Sequence, residues 1–504
     1  MKGTFSRTSH LKSQTNGGFD ELYRKASAAG QKHIFRWWNQ LDDAQRSRFI
    51  KQVRSIDFDV LSHLVATRLR KAERKFAGDL QPADVIPVPA TAGALAERQH
   101  MADMGEVVIR QGKVCLFIVA GGQGSRLNYD PPKGTFPICP ITGKSLFHVF
   151  AEKLLAANRR YGVTIPLYVM TSEVNNNATQ EFFRVNQFFG LDSNDVMFVV
   201  QDMLPCVTPD GKIILAKKDE IAVNPNGHGG AIKALKDGGA LDNMRNRGIR
   251  YISYHQVDNV LAKSIDPVFI GYHVDAKAEM SLKVVRKRDA EEKIGIVGKL
   301  RERVVLVEYS DLSPELMCAT NSDGSLRHAM GSIAVHILNV DFIERENQHG
   351  FCLPFHSASK AVPYVDDHGE TVVPDEPNAI KFETFVFDAL AEARRPVVME
   401  VRREDEFIPL KNTAGTDSPE SARRAYINAC GRWLQKAGVD VPTDNNGDVR
   451  CVIEISPLFA LDEDELAAKV DRNIKLDGRL LLEEDRPSQA TNRGQRSRAI
   501  PKRA

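Results

Sequence analysis

The sequence has 504 residues, with 68 Lys and Arg against 66 Asp and Glu, which leaves a formal net charge of +2. This length suits about three domains of roughly 100–200 residues each. So small a net charge gives no reason to expect nucleic acid or an anionic membrane as the main partner. The 42% apolar and 27% charged residues are typical of a globular protein, and no apolar run approaches the roughly 20 residues of a membrane helix.

The cysteine pattern and the N-terminus indicate in which cellular compartment the protein is expected. The seven cysteines include no Cys-x-x-Cys pair, which argues against a disulfide framework or a zinc site and favours a reducing environment. The basic N-terminus is followed by no apolar segment, so it is unlike a secretory signal. We therefore expect a cytoplasmic protein.

The first part of the chain is predicted to be helical after a disordered start. Residues 1–18 are polar and rich in Ser, Thr and Gly, so they cannot bury enough apolar surface to offset the cost of ordering. From Phe19 onwards apolar residues recur at helical spacing, with Asp42 as an N-cap between two stripes. The tryptophans at 37–38 are expected in the core rather than in a stacking platform, and the three prolines of 82–89 predict a linker.

The middle of the chain alternates strand and helix patterns. Residues 114–120 are a continuous apolar run between glycines, as expected of a strand buried on both faces of a parallel sheet. Further strand patterns, separated by helical spacing, lie at 167–170, 196–200 and 249–254. This alternation predicts a three-layer α/β domain.

The end of the chain reads as a third region and a tail. After about Pro409 the pattern predicts a helix near 422–437 and a strand at 451–455. The tail from Arg486 is basic and poor in apolar residues. A nucleic-acid arm is one interpretation, but a solvated, disordered end is the one that this composition favours.

A glycine-rich loop follows the first buried strand directly. Gly121, Gly122 and Gly124 are followed by Arg126 and then by Lys133. Glycines let the backbone approach a phosphate closely, so that its N–H groups converge on the anion. A plain strand-to-helix turn is the alternative, but the two cations, which a turn does not need, favour a polyphosphate site.

The two common nucleotide motifs do not fit this loop. The dinucleotide motif needs a third glycine where Leu127 stands, and a Walker A motif ending at 143–145 needs a glycine where Ile138 stands. The loop is therefore predicted to bind phosphate in some other way.

The loop resembles the signature of UTP-dependent sugar-1-phosphate uridylyltransferases, specifically the eukaryotic-type UDP-N-acetylhexosamine pyrophosphorylases. The resemblance covers roughly residues 19–480 and depends on ordered segments. These segments are 117–127 FIVAGGQGSRL, 131–138 PPKGTFPI, 224–230 NPNGHGG, 256–260 QVDNV, 307–310 VEYS, 385–388 FVFD, 406–412 EFIPLKN and 454–458 EISPL.

The resemblance implies a fold and a division of the chain. The fold is α/β, with a three-layer Rossmann-like nucleotidyltransferase central domain that is GT-A-like, an N-terminal helical region and a small C-terminal α+β domain. The expected segments are a disordered 1–18, a helical region and linker 19–105, a catalytic domain 106–405, a C-terminal domain 406–485 and a basic disordered tail 486–504.

The resemblance also implies a reaction. UTP and N-acetylglucosamine 1-phosphate would give UDP-N-acetylglucosamine and diphosphate, with Mg²⁺ as cofactor. The attacking phosphate is already ionised near neutral pH, so the protein mainly has to align two anions and neutralise charge. The expected partners are therefore these small substrates; the oligomeric state is not indicated.

The site residues are carried over from the matching segments. They are Arg126, Lys133 and Lys411 as catalytic; Ala120, Gly121, Gly122, Gly124, Gln201, Gly227 and His228 around the nucleotide; Gly229, Asn259, Glu308, Ser332 and Lys381 around the sugar; and Asp258 on the metal. By similarity Gln201 contacts the uracil edge and Glu308 the sugar hydroxyls. Without the resemblance, Asp258 would be a turn-capping residue and Lys411 a solvated surface lysine.

Two positions depart from the N-acetylhexosamine pattern. His228 stands where these enzymes have Asn, as in UDP-glucose and broad-specificity relatives, and Ser332 also replaces an Asn. Both positions are expected near the sugar. The side chains of Asn, His and Ser differ in length and in hydrogen-bonding groups. A UDP-glucose or broad-specificity UDP-sugar pyrophosphorylase is therefore an alternative, as is a nucleotide-sugar binding protein without activity.

Overall fold

The computed structural model describes residues 8–70, 76, 79–122, 124–348, 353–484 and 498–499. The predicted disorder of residues 1–7 and of most of the tail lies outside these residues. No helix in the described part of the chain is both long and apolar enough to cross a membrane.

Helices occur along the whole described chain. In chain order they are α1 Thr8–Ala28, α2 Asp43–Arg54, α3 Phe58–Arg70, α4 Ala92–Arg110, α5 Leu146–Tyr161, α6 Asn176–Val185, α7 Gly230–Asp237, α8 Ala240–Asn246, α9 Pro267–Asp275, α10 Pro314–Cys318, α11 Val340–Glu346, α12 Arg403–Glu406, α13 Pro419–Lys436 and α14 Glu463–Lys469.

Strands begin after α3. In chain order they are β1 Gln81–Pro82, β2 Val114–Val119, β3 Leu167–Ser172, β4 Val196–Gln201, β5 Met203–Pro205, β6 Leu215–Lys217, β7 Glu220–Ile221, β8 Val223–Pro225, β9 Tyr251–Gln256, β10 Met280–Arg286, β11 Ile296–Leu300, β12 Arg303–Val307, β13 Met330–Asn339, β14 Phe355–Lys360, β15 Tyr364–Val365, β16 Thr371–Val372, β17 Ala379–Thr384, β18 Val397–Glu400, β19 Val452–Ile455, β20 Arg479–Leu482 and β21 Arg498–Ala499.

The chain divides into two compact units. Unit 1 lies within Met1–Arg74, Asp202–Gly230 and Leu353–Phe385, and unit 2 within Lys75–Gln201, Ala231–Cys352 and Val386–Ala504. This division differs from the predicted segments, because it groups parts of 106–405 with the N-terminal helices. The predicted boundaries of a catalytic domain stay a prediction.

Unit 2 is built on a 10-stranded mixed sheet. Strands β9, β2, β3 and β4 pair in parallel, and β13 runs antiparallel to β9. All six residues of β2 are buried, as the apolar run predicts for a strand covered on both faces. The prediction of an α/β protein with strands in this region is thus confirmed at the level of a mixed α/β sheet.

Glycine permits one close helix contact in unit 2. A Cβ at Gly105 of α4 would lie 1.9 Å from the carbonyl oxygen of Pro267, and one at Gly271 of α9 would lie 1.8 Å from that of Met101. Such distances are impossible for any side chain, so α4 and α9 can touch only because both positions lack one. The contact fixes the position of α9, which is the next helix in the chain after β9.

The C-terminal part of unit 2 forms a separate small sheet. Strand β19 pairs in parallel with β20, and β20 pairs antiparallel with β21. Helix α13 begins at a Ser418 capping box, and its buried side chains belong to the same apolar core as β2 and α5. Strand β21 falls in the segment that the sequence predicts to be a disordered tail.

Unit 1 has its own apolar core. Helices α1 to α3 contribute Leu22, Phe49 and Leu61, and the later segments contribute Val207 and Phe382. Trp37 is 9% exposed and Trp38 stacks on Phe19 at 4.4 Å between ring centroids, so the tryptophan pair is core, as predicted.

Two boundaries near the N-terminus test the sequence patterns. Asp42 caps α2 through a capping box with Gln45, which confirms the predicted N-cap. Helix α1 begins at Thr8, before Phe19, where the sequence places the start of order. Once the apolar residues after Phe19 hold a helix, each further residue adds one backbone hydrogen bond at little cost.

Candidate active site

The candidate site lies at the carboxyl ends of the parallel strands of unit 2. The glycine loop follows β2, Gln201 is the last residue of β4, and Asp258 stands two residues after β9. Because parallel strands end at the same sheet edge, these three features share one edge, which is where open α/β sheets bind ligands.

The glycine loop touches its neighbours where side chains would not fit. A Cβ at Gly121 would lie 1.9 Å from the Gln201 amide nitrogen, and one at Gly124 would lie 2.4 Å from the carbonyl oxygen of Tyr129. Around Gly122, which is exposed, there is open space. The loop is therefore packed on one side and open on the other, which suits close approach by a ligand.

Gln201 has an unused acceptor. Its side chain is 4% exposed, and the buried oxygen Oε1 has no hydrogen-bond partner among the residues that the structure describes. A buried polar atom without a partner costs free energy unless something else satisfies it. This acceptor, held against Gly121, is thus available to a ligand N–H group.

Asn175, which sequence analysis missed, holds the glycine loop in place. Its amide nitrogen donates to the carbonyl oxygens of Ala120 at 2.8 Å and Gly122 at 3.5 Å. Its amide oxygen accepts from the backbone N–H of Ser172 at 2.9 Å. Because these carbonyl groups are drawn towards Asn175, the loop backbone is fixed relative to the end of β3.

Lys133, Asp258 and Lys411 come together. The Lys133 ammonium lies 3.2 Å from the Asp258 carboxylate, and the two side chains are 16% and 10% exposed. The backbone N–H of Leu410 donates to the Asp258 carbonyl oxygen at 3.0 Å, which places Lys411 beside it. Three residues from distant parts of the sequence thus form one charged group.

The two lysines determine the charge of Asp258. Burial alone would raise the pKa of its carboxyl group, but the charges of Lys133 and Lys411 and the Lys133 hydrogen bond outweigh burial and hold the pKa below its ordinary value. Asp258 is therefore ionised at neutral pH, and the group of three carries a net positive charge that suits a phosphorylated ligand.

Arg126 is placed differently. It lies in the short 3-10 helix Ser125–Leu127 after the glycine loop, and its side chain is exposed. Among the described residues no ion pair joins it to Asp258, so the structure does not bring it into the Lys133 group. Its predicted contact with phosphate stays a prediction.

Glu308 and Ser332 lie close to one glycine. The Ser332 N–H donates to the Gly295 carbonyl oxygen at 2.9 Å, and a Cβ on Gly295 would lie 3.2 Å from the Glu308 carboxylate. Ser332 is on β13, whose Val335 pairs with His255 of β9. Two of the predicted sugar residues are thereby close together, on the antiparallel side of the sheet.

Asn259 is buried, and its amide is already used by the protein. It is 2% exposed; its nitrogen donates to the Glu406 carbonyl oxygen at 2.7 Å, and its oxygen accepts from the Ile408 N–H at 3.1 Å. These bonds hold the segment that leads to Lys411. The predicted contact of Asn259 with sugar stays a prediction. The observed hydrogen bonds show that its amide holds the neighbouring loop.

The remaining predicted residues belong to unit 1. Gly227 has a φ of +81°, and a Cβ there would lie 2.5 Å from the carbonyl oxygen of Thr384. Gly229 donates its N–H to the same oxygen at 2.8 Å. The His228 ring stacks on Phe385 at 5.1 Å between centroids. This loop is therefore fixed by β17, and glycine is required on both sides of His228.

Lys381 is also in unit 1, on β17. It is half-buried, as is Glu383, whereas the alternate residues Ile380 and Phe382 are buried. Lys381 and Glu383 thus share the more exposed face of this strand, in keeping with the alternation of a strand.

A buried ion cluster lies next to the Asp258 loop in unit 2. Lys283 of β10 is 0% exposed, and its ammonium lies 2.6 Å from Asp266 and 2.5 Å from Glu406. Asp266 also caps α9. Burial alone would raise the pKa of Asp266, but Lys283 and Lys263 outweigh burial and hold it well below its ordinary value. We call Lys283, Asp266 and Glu406 the Lys283 cluster.

Sequence analysis missed the Lys283 cluster, although one signal was present. Lys283 interrupts the apolar strand Met280–Arg286, and a lysine in a buried strand must be paired. Its two partners lie far away in the sequence, and no local spacing identifies them.

The described residues contain no group of three or more His, Cys, Asp or Glu side chains that could hold a metal ion. A protein-only metal site is therefore not present among them. Asp258 offers one ionised carboxylate at the open edge of the sheet, which fits Mg²⁺ when most other ligands are substrate oxygens and water.

Comparison with known proteins assigns a class to this fold and site. The family model described as UTP–glucose-1-phosphate uridylyltransferase matches residues 71–477. This span includes the glycine loop and the lysine and aspartate group. The chain belongs to this uridylyltransferase family.

Individual proteins of known name are similar to this chain over most of its length. The chain is 36% identical over 502 residues to the human UDP-N-acetylhexosamine pyrophosphorylase-like protein 1, covering 92% of this chain and 97% of the relative. It is 34% identical to the UDP-N-acetylglucosamine pyrophosphorylase of Saccharomyces cerevisiae, covering 82% of this chain and 90% of the relative. The crystal structure of the Trypanosoma brucei uridine diphosphate N-acetylglucosamine pyrophosphorylase superposes with a TM-score of 0.77 at 25% identity, covering 96% of this chain and 100% of that one.

Proposed function

We propose that this protein is a UTP-dependent sugar-1-phosphate uridylyltransferase that converts UTP and N-acetylglucosamine 1-phosphate into UDP-N-acetylglucosamine and diphosphate. The observation that carries the proposal is the grouping of Lys133, Asp258 and Lys411 beside the glycine loop, in a chain of this family. The names of the relatives support N-acetylglucosamine as the sugar.

The chemistry requires charge neutralisation more than proton transfer. An oxygen of the sugar phosphate attacks the α-phosphorus of UTP, the bond from that phosphorus to the β-bridging oxygen breaks, and diphosphate leaves with the electron pair. The attacking oxygen is already anionic, so no base is needed. The protein has to hold two anions in line, and charged groups fixed before the substrates bind do this at least cost.

Each part of the site has a role in this proposal. The N–H groups of the glycine loop and the ammonium group of Lys133 bind the UTP phosphates, and Arg126 reaches them from its exposed position. Lys411 stabilises the transferring phosphoryl group. The unused acceptor of Gln201 receives the N3–H of uracil, since uracil presents one donor between two carbonyl groups.

The sugar part of the proposal begins with two residues of unit 2. In unit 2, Glu308 accepts hydrogen bonds from sugar hydroxyls and Ser332 lies beside it. Gly229 and Lys381, which belong to unit 1, stay predicted sugar residues by similarity alone, and Gly227 and His228 of the same unit stay predicted nucleotide residues. Each of these roles is proposed by similarity to the family.

Mg²⁺ belongs to the proposal through Asp258. The ionised carboxylate would be its protein ligand, and substrate phosphates and water would complete the shell. When bound, the ion would neutralise phosphate charge. Although burial alone would raise it, Lys133 and Lys411 hold the pKa of Asp258 below its ordinary value, so the carboxylate is ionised before an ion binds.

The finer points of fold and location are proposed on the same basis. A GT-A-like nucleotidyltransferase domain agrees with the parallel strands and the edge site of unit 2. The helical N-terminal region and the small C-terminal sheet with α13 and α14 agree with the predicted accessory regions. A cytoplasmic location agrees with substrates that are phosphorylated metabolites.

A substrate panel tests the proposal. The purified chain is incubated with UTP, MgCl₂ and one of several sugar 1-phosphates, and diphosphate release is measured, with Lys133→Ala as the control variant. We expect release with N-acetylglucosamine 1-phosphate, little with Lys133→Ala, and loss with EDTA. No release with any sugar, together with calorimetric binding of UDP-sugar, would instead support a binding protein without activity.

A second candidate, UDP-glucose synthesis, is favoured by His228. The ring at this position is stacked on Phe385, and it replaces the Asn expected for N-acetylhexosamine enzymes. The same panel decides: a kcat/KM for glucose 1-phosphate at least equal to that for N-acetylglucosamine 1-phosphate would establish this candidate. His228→Asn is then expected to shift the ratio towards the N-acetyl sugar.

A further inference from the structure

Two loops carry the opposite charges of the candidate site in unit 2. The first runs from Asp258 to Asp266, between β9 and α9. The second runs from Glu406, the last residue of α12, to Lys411. What holds these two loops together determines where the Lys411 ammonium stands relative to Asp258.

The two loops pair through a short stretch of backbone. Asn259 and Pro409 form an antiparallel bridge, and the Leu410 N–H donates to the Asp258 carbonyl oxygen at 3.0 Å. In a bridge of this kind the residues that flank the pair carry the hydrogen bonds, so the absence of an N–H group at Pro409 removes no donor from it. Backbone pairing thus brings the two loops into contact at Asn259 and Pro409.

The Asn259 side chain adds two further hydrogen bonds between the loops. Its amide donates to the Glu406 carbonyl oxygen at 2.7 Å and accepts from the Ile408 N–H at 3.1 Å. With the side chain 2% exposed, water does not compete for these groups. Both polar atoms of the amide are used on one short segment of the opposite loop, which fixes that segment in two places.

The Lys283 cluster fixes the same loops from the buried side. Asp266 ends the first loop and Glu406 begins the second, and the ammonium of Lys283 contacts both, at 2.6 and 2.5 Å. Lys283 is held in β10 between β13 and β18. One rigid strand thus sets the distance between the ends of both loops.

We propose that Asn259 is a positioning residue that, with the Lys283 cluster beneath it, holds Lys411 opposite Asp258 before substrate binds. The inference rests on the proposed function for the role of Lys411. It adds a positioning role to the sugar contact predicted for Asn259, because the amide keeps one N–H and one lone pair beyond these two bonds.

A double-variant cycle tests whether Asn259 acts through Lys411. Asn259→Ala is expected to lower kcat about 10- to 100-fold, since a displacement of about 1 Å has effects of this size, with the KM for UTP changed less than about threefold. In Lys411→Ala the same replacement of Asn259 is expected to have almost no further effect, because the group that it positions is gone. Equal effects of Asn259→Ala in both backgrounds would overturn the proposal.

Hydrogen exchange, which does not depend on enzymatic activity, tests this inference separately from the proposed function. Hydrogen exchange of the peptide covering 406–412 is expected to quicken at least tenfold in Asn259→Ala, because Ile408 and Leu410 lose protection, while β2 and β9 exchange as in the wild type. Unchanged exchange in this peptide would overturn the proposal even if the wild-type protein had no activity. An inactive wild type with faster exchange would support the positioning and reject the proposed function.

Matched controls exclude a general loss of stability. The Asn378 amide bridges the N–H and carbonyl groups of Val362 in unit 1, at 2.8 and 3.0 Å, and Asn378→Ala is expected to leave kcat within twofold and the 406–412 peptide unchanged. If Asn259→Ala does not fold, Asn259→Ser and Glu406→Gln serve instead. Glu406→Gln keeps the size of the side chain and is expected to give the same kcat and exchange changes, in smaller measure.

Discussion

Replacing Lys283 with methionine removes the ammonium group that contacts both Asp266 and Glu406. All three groups are at least nine-tenths buried, with Lys283 at 0%, Asp266 at 4% and Glu406 at 2% exposed. Breaking a buried ion pair costs about 3–5 kcal/mol, because a charge is left without a partner. Lys263 remains 3.7 Å from Glu406, and Asp266 keeps its cap bond to Val268 at 3.0 Å. We therefore expect the lower end, a loss of about 3 kcal/mol in the free energy of unfolding at pH 7.

The loss should depend on pH in a definite direction. In the wild type, Lys283 holds the Asp266 pKa well below its ordinary value, so this contribution is present above the unfolded pKa of about 3.9 and is lost only below it. In Lys283→Met the main charge that outweighs burial is gone, so Asp266 binds a proton more readily than it does in the wild type, and more readily than in the unfolded chain. The folded variant therefore gains stability as the pH falls from 8 towards 5, and the difference from wild type narrows.

Urea unfolding followed by circular dichroism between pH 5 and 8 measures both effects. Lys217→Met, which removes an exposed pair with Glu220, is the control and should leave the transition unchanged. Lys283→Met combined with Asp266→Asn and Glu406→Gln should recover at least half of the loss, because no buried charge remains and Asn still caps α9. A loss below about 1 kcal/mol, or one that is equal at pH 5 and pH 8, would refute the reasoning.

Three further predictions concern the glycine loop and the charged group. Gly121→Ala should raise the KM for UTP about tenfold with little change in thermal midpoint, because the new Cβ displaces Gln201. Asp258→Asn and Lys133→Ala should each lower kcat about 10²- to 10³-fold in a folded protein, as expected when a charged group at a transition state is lost. Asn175→Ala should raise the KM for UTP about fivefold and lower the free energy of unfolding by about 1–3 kcal/mol, since two loop carbonyl groups lose their donor.

Each of these predictions has a contradicting result. Wild-type kinetics in Gly121→Ala would remove Gln201 from the nucleotide site. Wild-type kcat in a folded Asp258→Asn or Lys133→Ala would remove that residue from the reaction. A loss of stability in Asn175→Ala without any change in the KM for UTP would limit this residue to a structural role.

Local sequence patterns were sufficient for the elements that build the site edge. The apolar run at 114–120 predicted a strand covered on both faces, and β2 is fully buried. The position of Asp258 after an apolar strand predicted its place at the sheet edge, since the ends of parallel strands coincide. The loop pattern itself singled out Lys133 and the resemblance added Lys411, and the structure groups both with Asp258.

What the sequence did not predict depends on contacts between distant segments. Lys283 is paired with Glu406, and no periodicity links two such positions. The use of the Asn259 amide was likewise hidden, because a motif identifies a residue type but not which groups its atoms contact. The grouping of the N-terminal helices with 202–230 and 353–385 in unit 1 also depends on which apolar faces meet, which burial patterns alone do not determine.

The late position of β18 in the sequence has a consequence for synthesis on the ribosome. This strand pairs in parallel with β10, yet it is translated only after β13 and the intervening part of unit 1. At about 5–20 residues per second, the nascent chain spends several seconds with one edge of β10 unpaired. An open strand edge can pair with another chain. Copies that emerge from the same messenger RNA can therefore aggregate with one another until residue 400 has left the exit tunnel. A chaperone that covers this edge should raise the yield of folded protein.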